Sequence, residues 1–440
     1  MQLISKQCAA AVLLFFILSL FHANGQDVRL KLNRPDGLYS KGDTVRVFAC
    51  CPDSPEPLEM EIRVGGKTRE KRSVCPGSAD YKEIYAEVCD SAKWVAVIVN
   101  TRDDRQIDIG WLVNPESFRP GYKAPCNLKQ FWKKEISRMR KNAMTVKIDS
   151  VRAPEKYIGQ VTCWHVQLSM HEGFPVNAYV CMPLGADVRT LPIRIQTHGA
   201  TEITENRTQS QLKTACRTAL SGTIGVDINA HGMEDGAPEE YYQELADGLL
   251  KDYSDQPLKD RESWYFRLMY LRLVRLVDYL VTLPQWDGRN IMVAGHSQGG
   301  GQALALGGID PRITHVYADE PALCDHGGIL LNRYGGWPFS TRRQNVPASK
   351  QGRKILPYYD GALLAGMFRG KLYLRAGLVD YTCPPTAVWT VYNNAGTEDK
   401  VIQSFRSRHH TNVVWYDKDE LDALSEGFPN IEWLPVDEAR

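Results

Sequence analysis

The chain has 440 residues, 43% hydrophobic and 24% charged, with a formal net charge of +1. That composition describes a folded globular protein, and the length suggests roughly two to three domains rather than one core. Near-balanced charge with no basic tract gives no electrostatic basis for a nucleic-acid or anionic-membrane partner.

The first 25 residues read as a targeting segment. Lys6 supplies a positive start, Ala9 to Phe21 an apolar run, and Ala23-Asn24-Gly25 the small residues that a signal peptidase reads. A membrane anchor is the weaker alternative, because the run is too short to span a bilayer and no later stretch could cross one. Cys8 precedes the apolar run, so it is not a lipoprotein cysteine. Residues 1–25 are therefore expected to be a signal peptide, and the protein to be exported, as a periplasmic or secreted species.

Residues 27 to 115 alternate with period two. Val28/Leu30/Leu32, Val45/Val47/Ala49, Met60/Ile62/Val64, Ile84/Ala86/Val88 and Trp94/Ala96/Ile98 each place apolar groups on one strand face. Pro35-Asp36-Gly37 and Lys41-Gly42-Asp43 supply turns, and Gly65-Gly66 is placed as a two-residue hairpin loop. Short strands at this spacing predict a small immunoglobulin-like β-sandwich over 26–118. Its role is glycan binding or simple packing, and the lack of a row of exposed aromatics favours packing. Cys50, Cys51, Cys75 and Cys89 crowd this part, which in an oxidising compartment favours at least one disulfide. Cys163, Cys181, Cys216, Cys324 and Cys383 are expected as buried free thiols. No C-x-x-C, H-E-x-x-H or His-rich tract is present, so neither a metal nor a cofactor is expected.

Pro115, Pro120, Gly121 and Pro125 mark a linker. A helix follows from Leu128 to about Met139, with Phe131 and Trp132 on its apolar side. From Val161 onward strands and helices alternate. The strands are Trp164 to Leu168, Ala178 to Met182, Ile193 to Thr197, Gly222 to Ile228, Ile291 to Ala294, His315 to Ala318, Lys371 to Arg375 and Val401 to Phe405. A long helix is expected between Asp260 and Leu283, with Arg267, Arg272, Arg275 and Asp278 on one side and its apolar remainder against the sheet. This pattern predicts an α/β domain over 119–440, its mostly parallel sheet covered by helices on both faces.

Within that domain Gly295-His296-Ser297-Gln298-Gly299 lies between the apolar run Ile291 to Ala294 and the helix-like Gln302 to Leu306. Strand, G-x-S-x-G, helix is the context of a nucleophile elbow, in which the serine sits in a strained turn above the sheet. Gly295 and Gly299 remove side chains that would collide there, and Gly300 and Gly301 let the helix pack close to the strand. A serine hydroxyl needs a base, and the base needs a carboxylate to fix its tautomer. In such a sheet the acid and then the histidine follow the serine at later strand ends. Asp380 follows Lys371 to Arg375, and His409 and His410 follow Val401 to Phe405. Asp319 and Glu320 end the strand directly after the elbow and are the weaker acids.

Gly295 to Gly300, Pro321-Ala322-Leu323-Cys324-Asp325, and Gly377-Leu378-Val379-Asp380-Tyr381-Thr382-Cys383-Pro384-Pro385-Thr386 with Val391-Tyr392-Asn393 resemble carbohydrate esterase family 7. These are the acetyl xylan esterases and cephalosporin C deacetylases, on an α/β-hydrolase fold. The specific element is Asp-x-x-Cys-Pro-Pro; the resemblance covers about residues 125–435 and leaves the sandwich unexplained. It implies Ser297 as nucleophile, Asp380 as acid, His410 as base, and the backbone N–H groups of Gln298 and Ala200 as an oxyanion hole. Two such donors can each contribute roughly 3 kcal/mol to the barrier. The chain departs from the family at Ala200, at Asn229-Ala230-His231 in place of Arg-Gly-Gln, and at His409-His410-Thr411 around the base. The first two departures are expected to alter the pocket, with Ala200 and the Asn229 loop lining its entrance. His198, His231 and His296 are expected as structural histidines.

Three functions fit these residues. The first is an exported serine esterase removing O-acetyl groups from an acetylated polysaccharide or oligosaccharide. The second is a general carboxylesterase or peptidase of the same fold, and the third a catalytically inactive glycan-binding protein, against which the intact Ser, Asp and His set argues. Family members can be homo-oligomers, and the added N-terminal domain could block that packing.

Overall fold

Period-two patterning in the N-terminal part builds eight strands in two sheets. This computed structural model describes residues 28–410 apart from 53–55, 78, 103, 202, 204–209 and 340–342; the expected signal peptide lies outside the described residues. The strands are β1 (Arg29–Leu32), β2 (Leu38–Tyr39), β3 (Thr44–Cys50), β4 (Leu58–Val64), β5 (Lys67–Val74), β6 (Lys82–Val88), β7 (Lys93–Asn100) and β8 (Gln106–Val113). One sheet runs β1-β3-β6 and the other β2-β8-β7-β4-β5. Val45, Val47, Met60, Ile62, Val97, Ile109 and Trp111 share one buried core, and full burial of such a side chain stabilises by roughly 1.5–3 kcal/mol. Gly65 and Gly66 form the expected hairpin loop, with φ of 55° and 78°. Both angles are left-handed, which glycine adopts without strain.

Strand β8 was not predicted, and its burial explains why. β7 and β8 are buried along both faces, so neither shows simple alternation. Val95, Val97 and Val99 look into the sandwich. Trp94, in contrast, packs with Leu112, Leu378 and Trp389. The Trp94/Ala96/Ile98 face is thus turned away from the sandwich core and covered by the following domain.

No disulfide joins any two of the ten described cysteines, so the one expected among Cys50, Cys51, Cys75 and Cys89 is not formed. Neighbours along a strand point to opposite faces, so crowding in sequence is not crowding in space. Cys163, Cys181, Cys216, Cys324 and Cys383 are buried as expected. The Sγ atoms of Cys163 and Cys181 lie 3.4 and 3.6 Å from that of Cys216.

The large sheet contains β9 (Val146–Val151), β10 (Val161–Leu168), β11 (Val176–Pro183), β12 (Leu191–Thr197), β13 (Ile224–Ile228), β14 (Trp286–His296), β15 (His315–Asp319), β16 (Lys371–Gly377) and β17 (Lys400–Phe405). Its order is β17-β16-β15-β14-β12-β13-β11-β10-β9. The strands from β17 to β13 are parallel, and β11, β10 and β9 extend them antiparallel. Its helices are α1 (Leu128–Arg140), α2 (Leu212–Ala219), α3 (Glu239–Asp247), α4 (Phe266–Leu280), α5 (Gln298–Ile309), α6 (Lys350–Ile355), α7 (Gly361–Ala365) and α8 (Pro385–Asn394). This is the α/β-hydrolase arrangement read from the sequence. Ile224–Ile228 is buried throughout, as the continuous apolar runs of a doubly covered parallel sheet require.

Helix α4 is shorter than expected. Asp260 Oδ1 accepts the Ser263 N–H at 2.7 Å, which stabilises a turn where the helix was expected to begin. Its arginine side is also buried. Arg267 pairs with Glu135 at 2.7 Å and with Glu172; Arg275 donates to Ser169 O and Asn142 O at 3.0 and 2.9 Å. The arginines bind α1 and neighbouring turns rather than face water.

Candidate active site

Residues expected to act lie at the carboxyl ends of β12, β14, β16 and β17, where parallel sheets place their sites. Ser297 stands alone between β14 and α5, with φ 56° and ψ −124°. Such a conformation is costly for a residue with a Cβ, of order 1–3 kcal/mol. Backbone bonds hold it: Ser297 N donates to Asp319 O, and Ser297 O accepts from Ala322 N, both at 2.9 Å. The flanking glycines are sterically required. A Cβ on Gly295 would lie 2.2 Å from Thr197 Oγ1, and one on Gly299 2.7 Å from Thr197 O. On Gly300 and Gly301 a Cβ would meet Pro321 Cα at 2.9 Å and Ala322 O at 2.5 Å. A Cβ on Gly300 would also lie 3.2 Å from Gly295 O, so these glycines bring α5 close to β14, as expected, and to the segment after β15 as well.

His410 Nε2 lies 2.7 Å from Ser297 Oγ, and its Nδ1 lies 2.8 Å from Asp380 Oδ2. Asp380 Oδ1 accepts the N–H groups of Thr382 and Cys383 at 2.7 and 2.8 Å. That arrangement gives the Asp-x-x-Cys-Pro-Pro run a physical reason. The carboxylate ties down the turn after β16 with one oxygen and presents the other to the ring. Pro384 caps α8 and Pro385 opens it, where a missing N–H costs nothing.

The alternatives lie elsewhere. His409 Nε2 is 3.2 Å from Asp108 Oδ2. Asp319 takes two 2.9 Å bonds from Arg408. Burial works to raise the Asp319 carboxyl, but the His296 ring, 3.6 Å away, and the Arg408 guanidinium hold it well below the usual carboxylate range. Glu320 Oε2 is 3.8 Å from His410 Nδ1, and burial together with the Asp380 charge pushes Glu320 well up. Arg408 Nε, 3.1 Å from Glu320 Oε1, works against that rise. The His296 ring stacks on His410, centroids 4.8 Å apart.

Gln298 opens α5 and is buried. Ala200 lies exposed in the loop after β12. The β12–β14 register pairs Thr197 with Gly295, which carries His198-Gly199-Ala200 beside the elbow. A Cβ on Gly199 would lie 3.5 Å from Ser297 Cβ. Gln302 Nε2 fixes that loop through His198 O at 3.1 Å, and Tyr253 OH donates to Gln298 Oε1 at 2.7 Å.

His198 Nε2 is 2.7 Å from Asp227 Oδ1. Burial opposes charge on the ring, yet the Asp227 carboxylate holds its pKa above the ordinary value. His231 Nδ1 is 2.6 Å from Tyr265 OH, and burial pushes that ring down to about 3. Asn229 and His231 are 0% and 1% exposed, so their loop does not line an entrance as expected. It reaches the site from behind, through the Tyr253 ring 4.6 Å from His231. Two groups of possible metal ligands at the site, His296/Glu320/His410 and Asp380/Cys383/His410, both need His410, whose ring nitrogens already face Ser297 and Asp380.

Tyr253, Asp227 and Arg408 were not read from the sequence. Their only trace was that each is a polar or aromatic residue near a strand end or motif. Trp94 and Asp108 carried no signal pointing to the site.

A nucleophile elbow on such a sheet defines an α/β-hydrolase. The sequence profile of acetyl xylan esterase (AXE1) matches residues 111–426. Acetyl esterase Axe7A of Xylanibacter ruminicola is 28% identical over 377 residues, 82% of each chain. The acetyl xylan esterase from Paenibacillus sp. R4 superposes with a TM-score of 0.57 at 19% identity, covering 71% of this chain and 96% of that one. Acetyl xylan esterase 1 from Thermoanaerobacterium sp. JW/SL YS485 gives 0.56 at 17% identity with the same coverage. These two structures speak for the fold. The chain belongs to the acetyl xylan esterase family, as its Asp-x-x-Cys-Pro-Pro run indicated, and is a carboxylic ester hydrolase of that type. Among the described residues, no helix is long and apolar enough to cross a membrane.

Proposed function

We propose that the protein is an exported deacetylase that removes O-acetyl groups from polysaccharide or oligosaccharide through a covalent acetyl-enzyme. The single observation carrying this reading is the unbroken chain Ser297–His410–Asp380, with hydrogen-bond distances of 2.7 and 2.8 Å, in a chain of the acetyl xylan esterase family. Ser297 Oγ attacks the acetyl carbon as His410 Nε2 takes its proton, and Asp380 fixes the ring tautomer and steadies the imidazolium. The N–H groups of Gln298 and Ala200 receive the developing oxyanion. Collapse breaks the ester C–O bond, and His410 gives its proton to the departing sugar oxygen, which leaves as the hydroxyl. Water, activated by the same ring, then releases acetate. Residues 1–25 support export by their signal-peptide pattern.

The test is acyl length. Each methylene a close-packed acyl site cannot accommodate costs about 1–3 kcal/mol. kcat/KM is expected to fall at least tenfold from acetyl to butyryl esters of one alcohol, with acetate released from acetylated glycans. A flat acyl profile would make the protein a general carboxylesterase instead.

A further inference from the structure

The strands of the sandwich that touch the esterase domain touch the segments bearing the acid and the base. Trp94 Nε1 on β7 donates to Leu378 O at 2.7 Å, two residues ahead of Asp380. Gly110 N on β8 donates to Arg406 O at 2.8 Å, four residues ahead of His410. Asp108, also on β8 and 5% exposed, sets its Oδ2 3.2 Å from His409, the residue adjoining the base. Its Oδ1 has no hydrogen-bond partner among the described residues. Tyr381, next to Asp380, packs on Trp94 with ring centroids 5.0 Å apart, and the Arg63 guanidinium lies 5.2 Å from the same ring.

Geometry explains why this support matters. Among the described residues β17 is an edge strand of the large sheet, and the segment leading to His410 has a sheet neighbour on one side only. Leu378 N donates to Phe405 O at 2.8 Å, tying the acid loop to that segment. On the sandwich side the Gly110 bond supplies the missing backbone partner. The approach is close: a Cβ on Gly110 would lie 2.0 Å from Leu378 O. Asp108, Gly110 and Leu112 share one face of β8, the face turned to these loops. A buried carboxylate with one free oxygen is costly to keep, and Asp108 is kept facing His409.

We propose that the N-terminal sandwich is a positioning element of the active site, with Trp94, Asp108 and Gly110 holding the Asp380 and His410 loops in catalytic register. This rests on the triad assigned above. It acts on kcat, because a reacting group displaced by a fraction of an ångström slows the chemical step, whereas acetyl binding is left largely alone.

The experiment uses full-length protein carrying Trp94→Phe, Asp108→Asn, both together, or Gly110→Ala. Functional sites are counted by an organophosphonate that phosphonylates Ser297, and kcat and KM for a small aryl acetate are expressed per titrated site. Each of the first two substitutions is expected to lower kcat about fivefold, and the pair at least twentyfold, with KM changed less than twofold. Gly110→Ala is expected to act more strongly by pushing Leu378 away; if it does not fold, the other variants carry the test. Should kcat per site stay within twofold of the parent while only Tm falls, the sandwich is mere packing and the proposal is overturned with the triad intact. Absence of phosphonylation at Ser297 in the parent would remove both.

Discussion

Ser297→Ala is expected to lower kcat on aryl acetates by on the order of a millionfold. The fold is expected to survive, because the substitution removes one oxygen from a side chain only 7% exposed. The backbone bonds to Asp319 and Ala322 that fix the elbow are untouched. Alanine bears the same Cβ as serine, so the strain at φ 56° changes little. His410 keeps its bond to Asp380. What disappears is the hydroxyl proposed to attack, and the residual rate is then that of water beside the proposed oxyanion site. Steady-state kinetics with circular dichroism checks both halves, and turnover within tenfold of the parent would refute the covalent route.

Asp380→Asn is expected to cost about ten-thousandfold in kcat with KM little changed. The amide oxygen can take over the bonds from Thr382 and Cys383 N–H, which leaves the amide NH2 facing His410 Nδ1. That nitrogen must then accept, and the ring proton moves to Nε2, the atom facing Ser297 Oγ. A ring protonated there cannot take the serine's proton. Glu320, 3.8 Å from Nδ1, is a nearby carboxyl able to compensate, since the Asp380 charge is part of what pushes its pKa up. A loss smaller than a hundredfold would identify Glu320 as a substitute acid.

The elbow was legible because its chemistry is local: five residues, a strand before and a helix after. Asp380 was legible for the same reason, its turn being written into Asp-x-x-Cys-Pro-Pro. Local patterns could not distinguish His409 from His410, because both follow the same strand end and what separates them is Asp108, some three hundred residues earlier in the chain. Strand β8 escaped for a related cause. Burial on both faces erases the alternation that announces a strand, and its second face is covered by the following domain. The buried arginines of α4 misled in the opposite direction, since a charged stripe reads as a solvent face until its partners are known. Contacts between distant segments leave no periodic trace.

The two large faces of the sandwich's five-stranded sheet are occupied, one by its own core and one, at β7 and β8, by the esterase domain, yet strand β5 leaves an open rim. Its residues Lys67, Arg69, Lys71 and Arg72 are exposed, and the pairing of β5 with β4 slips at Ile62/Arg63. A second chain laid along that rim would have to strip water from charged side chains, three of them already paired with Glu87, Glu59 and Glu70, to reach a distorted ladder. The rim is thus a poor template for its own copy. A domain held against the catalytic machinery on one side is kept from recruiting strands on the other, so crowding would not draw it into β-aggregates through this edge.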